Sequence, residues 1–302
     1  MGKAKKQIEK AKAKIKEEQV DKVNLTDMDS KMMKMKKGLH YEQAYNCQLL
    51  IEDKGEIIVG NCLSDSPADV TETKPTMEKF KQEQKVSLKG VEVFQDNGYS
   101  SSATAEYYEN EGAIAYIPDS ATTKELHGKA KDITQFHYDN FKLDFKKNQA
   151  ICPAGNNLKF ARKYEDKRNN CWSNIYRGDK CENCKFREEC IGKKNKHSYK
   201  EIKINPLMRK IRLRFKTKKG LEKYNKRFHK GEVAQAHIFH NLGYREFKMR
   251  EKKSCENEVN LFSTAYNLKK IHNKLRRMGG RLGEIIKKIV YGLDYHFYFS
   301  GL

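Results

Sequence analysis

Between residues 44 and 118 apolar runs alternate with turn and helix signals, and that order restricts the fold more than any other feature of the chain. "AYNCQLLIED" and "EIIVGNCLS" are strand-length apolar runs with Lys54-Gly55 between them, which predicts a β-hairpin. "SPADVTETKPTMEKF" opens on Ser66-Pro67, a helix-start signal, and predicts a helix. "VEVFQD" is a third strand. "SSATAEYYENEG" is a helix opened by serine and closed by Gly112, and "AIAYIP" is a fourth strand stopped by Pro118. A hairpin followed by β-α-β is the order of a mixed sheet with helices on its faces, so the expected class is α/β.

The pattern breaks after Pro118. Residues 119–203 are polar, basic and cysteine-bearing, without a sustained period, and are expected to form an insertion. From residue 204 helix dominates up to about residue 275. In "NEVNLFSTAYNLKKIHNKL", Leu261, Ala265, Leu268 and Ile271 recur at helical spacing and are expected to pack on the sheet. Residues 1–23 read as a charged helical arm with Ile8, Ala11, Ile15 and Val20 as a thin apolar stripe. The expected organisation is therefore arm 1–23, first part of the α/β domain 24–118, basic cysteine-rich insertion 119–203, helical second part 204–275 and tail 276–302. The aromatic end "GLDYHFYFSGL" is either a last packed segment or a frayed tail.

Charge narrows the partners. The chain holds 62 Lys or Arg against 40 Asp or Glu, a formal net charge of +22. Such a surplus repels itself in the compact state and favours a polyanion, nucleic acid first and an anionic membrane surface second. No run of 18 apolar residues exists to span a bilayer. The N-terminus lacks the apolar core of a signal peptide, so a cytoplasmic location is expected, with the eight cysteines as thiols or metal ligands. Residues 185–230 hold 18 Lys or Arg against four acids. Within them "RKIRLRFKTKKG" spaces Arg209, Arg212, Arg214 and Lys216 around Ile211, Leu213 and Phe215, and phosphate contact is the expected role. No helix joins a strong apolar face to this basic stretch, which disfavours the membrane-surface alternative.

Two constellations bear chemistry. Asp96 stands at the tip of "VEVF" before Asn97-Gly98, so it either starts a turn or points a carboxylate into the crevice beyond a strand end. Glu232 lies in the basic, aromatic segment "RFHKGEVAQAHIFHNLGYREF", either as a solvated helix charge or as a second carboxylate. Phosphodiester chemistry with two divalent ions needs carboxylates from separate elements, and this pair meets that requirement. Cys181-x-x-Cys184, Cys190 and upstream Cys152 have the spacing of a structural Zn²⁺ site, with Cys171 as an alternative fourth ligand. Cys47, Cys62 and Cys255 are expected to be packing residues.

The ordered segments "KGLHYEQAYNCQLLIED", "VFQDNGYSS", "AIAYIP", "CPAGNNL", "CENCKFREEC", "KRFHKGEVAQAHIFHNLGYREFKMRE" and "ENEVNLFSTAYNLKKI" resemble the DDE transposases of bacterial insertion sequences, in the branch with a cysteine-containing insertion. The resemblance covers residues 24 to about 275. It implies a ribonuclease-H-like fold, two-metal chemistry with Mg²⁺ or Mn²⁺, and transposition by cutting and joining double-stranded DNA ends, with a homodimer on paired ends. It implies that Asp96 in "QDNGY" is the second catalytic Asp and Glu232 the catalytic Glu, and that Tyr244 and Arg245 in "GYREF" contact DNA or support the helix. A first Asp is implied in an Asp-Gly-Thr-like motif ending an earlier strand. No such motif occurs here, so the first Asp is expected to be absent, with Asp29, and after it Asp27, in "TDMDS" as the alternative. On this reading the chain is an N-terminally truncated copy. The alternative is a non-catalytic, zinc-stabilised DNA-binding remnant.

Overall fold

The structure, a computed structural model, describes residues 2–35, 40–128, 135–144, 146–167, 171–193, 197–277 and 296–301. In chain order the elements are α1 (Gly2–Glu18), β1 (Lys31–Lys34), β2 (Tyr41–Ala44), β3 (Asn46–Glu52), β4 (Ile58–Ser64), α2 (Thr73–Gln84), β5 (Glu92–Phe94), α3 (Ser102–Asn110), β6 (Ile114–Tyr116), α4 (Ser120–Leu126), β7 (Lys142–Asp144), β8 (Gln149–Ile151), β9 (Asn157–Asp166), β10 (Cys171–Gly178), α5 (Arg187–Ile191), β11 (Lys200–Ile204), α6 (Pro206–Phe215), α7 (Lys218–Arg227), α8 (Val233–Ala236), α9 (Lys252–Arg277) and β12 (His296–Gly301). The chain forms two compact units. The first comprises residues 1–99, 111–115 and 222–302, and the second residues 100–110 and 116–221.

The first unit is a mixed five-stranded sheet in the order β4-β3-β12-β5-β6. β3 runs antiparallel to both its neighbours, and β12 runs parallel to β5. All seven residues of β3 are buried, which explains why its sequence is a continuous run rather than an alternation. The predicted hairpin is β3 and β4. α2 turns Met77 and Phe80 inward, and Gly60 on β4 makes room for them: a Cβ there would sit 3.1 Å from the Phe80 ring. The edge of β4 is closed by α9, where Asn267 donates to Ile58 O at 2.7 Å and accepts from Ile58 N at 2.8 Å.

Two expectations change here. The buried face of α9 is Cys255, Val259, Phe262 and Tyr266, not the stripe at Leu261, Ala265, Leu268 and Ile271. Leu261 and Leu268 are 71% and 62% exposed. Both sets recur at three- and four-residue intervals, so spacing alone could not choose between them; the aromatic pair Phe262 and Tyr266 takes the inner face because it fills more of the groove. Residues 296–301 of the aromatic end form a strand. β12 takes the centre of the sheet, with Tyr298 opposite Ile51 on one side and Phe94 on the other.

The second unit is an antiparallel sheet in the order β11-β10-β9-β8-β7. Its core is Phe141, Ala150, Leu158, Tyr176, Ile202 and Ile204. The region read as lacking a period thus has a sheet of its own. Its core draws at most two residues from any strand, and β9 buries only Leu158, so no single segment displays a sustained alternation. α6 is set by Asn205. Its side-chain oxygen caps the N–H groups of Leu207 (2.9 Å) and Met208 (3.0 Å), and its amide nitrogen donates to Trp172 O at 2.7 Å.

Candidate functional site

Asp96 follows β5, where the strand gives way to a single 3₁₀ turn, Asn97–Tyr99. The Gly98 N–H donates to Asp96 Oδ1 at 2.8 Å, and the fully buried Tyr99 donates its hydroxyl to Gln48 on β3. The turn is anchored by Tyr99 while Asp96 stays partly exposed. Asp96 starts a turn, and its carboxylate stands at the end of β5.

A second carboxylate, absent from the sequence-based set, stands beside it. Asp69 Oδ1 accepts from the amides of Asn46 (2.8 Å) and Gln48 (3.0 Å) on β3. A Cβ on Gly98 would lie 3.0 Å from Asp96 Oδ1 and 3.1 Å from Asp69 Oδ2, so both carboxylates crowd the same glycine. Only a residue without a side chain fits there without displacing one of them.

Glu232 closes a π-helical turn, Phe228–Glu232, that continues α7. A π-turn inside an α-helical run shifts the register and re-aims the residues on it. The Glu232 side chain is 51% exposed and accepts from Arg227 Nη2 at 3.3 Å. Tyr224 sits on α7 two residues before Lys226 and is buried. Burial pushes its hydroxyl up to about 12, with Asp96 and Glu232 adding to the rise and Arg227 opposing it. β12 lies against the turn that carries Glu232.

Asp27 and Asp29 serve another end. Asp27 Oδ2 accepts from Glu251 N and Asp29 Oδ2 from Lys252 N, both at 3.1 Å, which caps the start of α9. Asp29 also pairs with Lys14 at 2.5 Å, and this ammonium holds its carboxyl below the ordinary range. Asp27 accepts from the Tyr45 hydroxyl at 2.7 Å.

In the second unit Cys152, Cys181, Cys184 and Cys190 line one small cavity together with Phe141 and Leu158. The Cys181-x-x-Cys184 turn is closed by Cys184 N donating to Cys181 O, and the next N–H bond runs from Arg187 to Cys184 O. Asn156 N–H donates to Cys152 Sγ at 3.2 Å. Burial pushes the Cys181 and Cys190 thiols up, and the neighbouring thiols of the set add to the rise. Cys171 belongs elsewhere, with its sulfur accepting from Ser102 N at 3.2 Å. Among the described residues, no three His, Cys, Asp or Glu side chains stand as a group that could hold a metal ion. The four thiols converge on one cavity without being drawn into a coordination sphere.

The basic segment divides into inner and outer residues. Arg212 is 2% exposed and forms ion pairs with Asp119 (2.5 Å), Glu125 (2.7 Å) and Asp139. Arg209 donates to the carbonyls of Asp139 (3.2 Å) and Phe141 (2.8 Å), and burial lowers its pKa from the ordinary arginine value. Lys216 pairs with Glu125 at 2.8 Å but stays partly exposed, and Arg214 lies over the Tyr116 ring at 5.8 Å. Of the four residues expected to contact phosphate, Arg212 is buried in the ion-pair cluster and Arg209 is turned onto backbone carbonyls, while Lys216 is exposed. Arg212 falls one helical turn from Met208 and beside Ile211 and Phe215, so its inward position was readable from α6 periodicity. Tyr244 packs on Phe262 at 4.6 Å and Phe247 at 5.9 Å, and Arg245 is exposed.

The first unit thus carries a strand-end carboxylate and a helix carboxylate, and the second carries a basic helix. Residues 151–272 match the family model described as transposase DDE domain. The match contains Glu232, the four clustered cysteines and the basic helix; Asp96 and Asp69 lie outside it. No curated protein matches the chain, and no solved structure does. Among the described residues no helix is long and apolar enough to cross a membrane.

Proposed function

We propose that this chain is a DDE transposase catalytic segment that binds double-stranded DNA and cuts and joins the ends of an insertion sequence, with Asp96 and Glu232 as its metal ligands. The family match over residues 151–272 carries this reading, because it contains Glu232. Asp96 and Glu232 both belong to the first unit, on separate elements, as a shared ion would require. The mixed sheet with α2 and α9 against β4 is consistent with a ribonuclease-H-like fold.

The donors suit a hard cation. Asp96 and Glu232 offer partly exposed carboxylate oxygens, and Mg²⁺ or Mn²⁺ takes a few such groups and fills its remaining positions with water and substrate oxygens. A bound ion would supply an activated water and stabilise charge on the phosphoryl oxygens. The chain's own residues do the positioning. Gly98 N–H and the Tyr99 anchor hold the Asp96 turn, Arg227 orients Glu232, and Asn46 and Gln48 leave one oxygen of Asp69 facing the Asp96 turn. Asp69 is a third carboxylate beside the Asp96 turn.

The four clustered thiols suit a structural Zn²⁺, which takes tetrahedral thiolates, with Cys152 rather than Cys171 completing the set. The basic outer residues Arg214 and Lys216 would contact DNA phosphates.

A plasmid-nicking assay with Mn²⁺ tests the proposal. Nicking that disappears in Asp96→Asn and in Glu232→Gln is the expected result. Duplex binding without nicking would replace this reading by that of a zinc-stabilised DNA-binding protein.

A further inference from the structure

The second unit holds a cavity of about 710 Å³ that neither the carboxylates nor the thiols use. Its walls include Tyr116, Leu207, Leu213, Arg214, Lys219 and Gly220. Leu213 is 45% exposed, whereas Ile211 and Phe215 on the same helix are buried, so its side chain belongs to the cavity wall and not to the core. The Arg214 guanidinium lies 5.8 Å from the centroid of the Tyr116 ring, which sets a cation beside an aromatic wall. Gly220 forms the tight corner before α7 continues: a Cβ there would fall 2.1 Å from Arg214 O. The volume is within the range of small-molecule sites, which combine apolar walls with a few placed polar groups.

We propose that this cavity takes a nucleobase from an unpaired DNA strand, with the adjoining phosphates against Arg214 and Lys219. The inference rests on the DNA reading above and extends it from phosphate contact to base contact. A duplex offers phosphates to basic side chains but keeps its base faces stacked, so apolar walls such as Leu213 and Leu207 gain nothing from it. An unpaired strand offers both, and base stacking on side chains adds to phosphate attraction without regard to sequence. Charge complementarity selects an anionic occupant over an apolar peptide: Arg209, Lys210, Arg214 and Lys219 line the cavity, and although Glu109 pairs with Lys210 at 2.7 Å and Arg209 is turned onto backbone carbonyls, the balance at the walls stays positive.

The test compares fluorescently labelled dT20 with a 20-base-pair duplex by anisotropy at one salt concentration, using the full chain, Leu213→Glu and Leu213→Trp. The cavity reading expects Leu213→Glu to weaken dT20 binding about tenfold or more and duplex binding less than about threefold. It expects Leu213→Trp to tighten dT20 binding and to show quenched tryptophan emission when dT20 is added. Equal weakening on both DNAs, or unchanged dT20 binding in both variants with native circular dichroism, would overturn it. Duplex binding by the unaltered chain with no dT20 binding would overturn it while leaving the DNA reading in place. Binding to neither would overturn both.

Discussion

In the first unit β3 buries all seven of its residues, and its core is aliphatic and aromatic: Leu49, Leu50, Ile51, Val93, Phe94, Met77 and Phe80. In the second unit β9 buries one residue of ten, and directional groups hold the rest, a guanidinium among three carboxylates and four thiols around a small cavity. An apolar core loses stability by degrees when one methylene is removed. A core tied by a few charged or metal-ligating groups fails at single positions and responds to pH and metal.

The largest difference should follow metal removal. The purified chain is expected to hold about one Zn²⁺, and chelation or Cys181→Ser should open residues 150–195 to protease while the first unit stays protected, since structural zinc contributes folding energy outright. Metal analysis together with limited proteolysis reads this. A zinc-free chain with an unchanged proteolytic pattern would place the second unit's stability elsewhere.

Next is Arg212. Removing the guanidinium leaves Asp119, Glu125 and Asp139 without their shared counter-charge, and Arg212→Met should cost roughly 3–5 kcal/mol. Arg214→Met, two positions on and outside this cluster, should cost about 1 kcal/mol or less. Urea unfolding of both variants separates them, and equal costs would mean that the buried cluster does not hold the unit.

A smaller effect appears in acid. Burial opposes ionisation of Asp119, but the Thr122 N–H, the Tyr138 hydroxyl and the Arg212 charge outweigh it, so its folded pKa lies below the ordinary value. A depressed carboxylate contributes stability that is present above its unfolded pKa and lost as pH falls through the folded one. The gap in stability between the unaltered chain and Arg212→Met should therefore shrink as pH drops below about 4. The other charged groups around Arg212 are Glu125, Asp139, His137 and Lys216, and burial lowers the His137 pKa, so that ring is expected to stay neutral near pH 7. A gap that widens in acid would contradict the sign.

The smallest expected change concerns DNA. Arg214→Ala should weaken duplex binding on all sequences alike and reduce the salt slope by about 1. Binding measured across a salt series would show it, and an unchanged slope would remove Arg214 from the phosphate contacts.

Legibility in the sequence followed the same divide. The hairpin, β5, α3 and β6 were readable because each is a contiguous apolar run or a capped helix bounded by Gly or Pro. The five-stranded sheet of the second unit was not, because its core is assembled from at most two residues per strand. The seat of β12 was not readable either, since pairing partners distant in sequence leave no local trace. Within the candidate site, Asp96 and Glu232 stood out through their motifs. Asp69 did not, because what sets it apart is the amide pair of Asn46 and Gln48 over twenty residues away. The basic stretch was visible as charge, but its division into an inner Arg212 and an outer Arg214 depended on helical phase and on the carboxylates of α4 and the segment before β7.

The central claim is that Asp96 and Glu232 hold the same divalent ion. Mn²⁺ titration followed by electron paramagnetic resonance, on the full chain and on Asp96→Asn and Glu232→Gln separately, tests it most directly. The account predicts that each variant, with unchanged circular dichroism, binds the ion at least about tenfold more weakly, because removing one carboxylate from a two-carboxylate site leaves too few protein oxygens. Mn²⁺ affinity equal to that of the unaltered chain in both variants would contradict it.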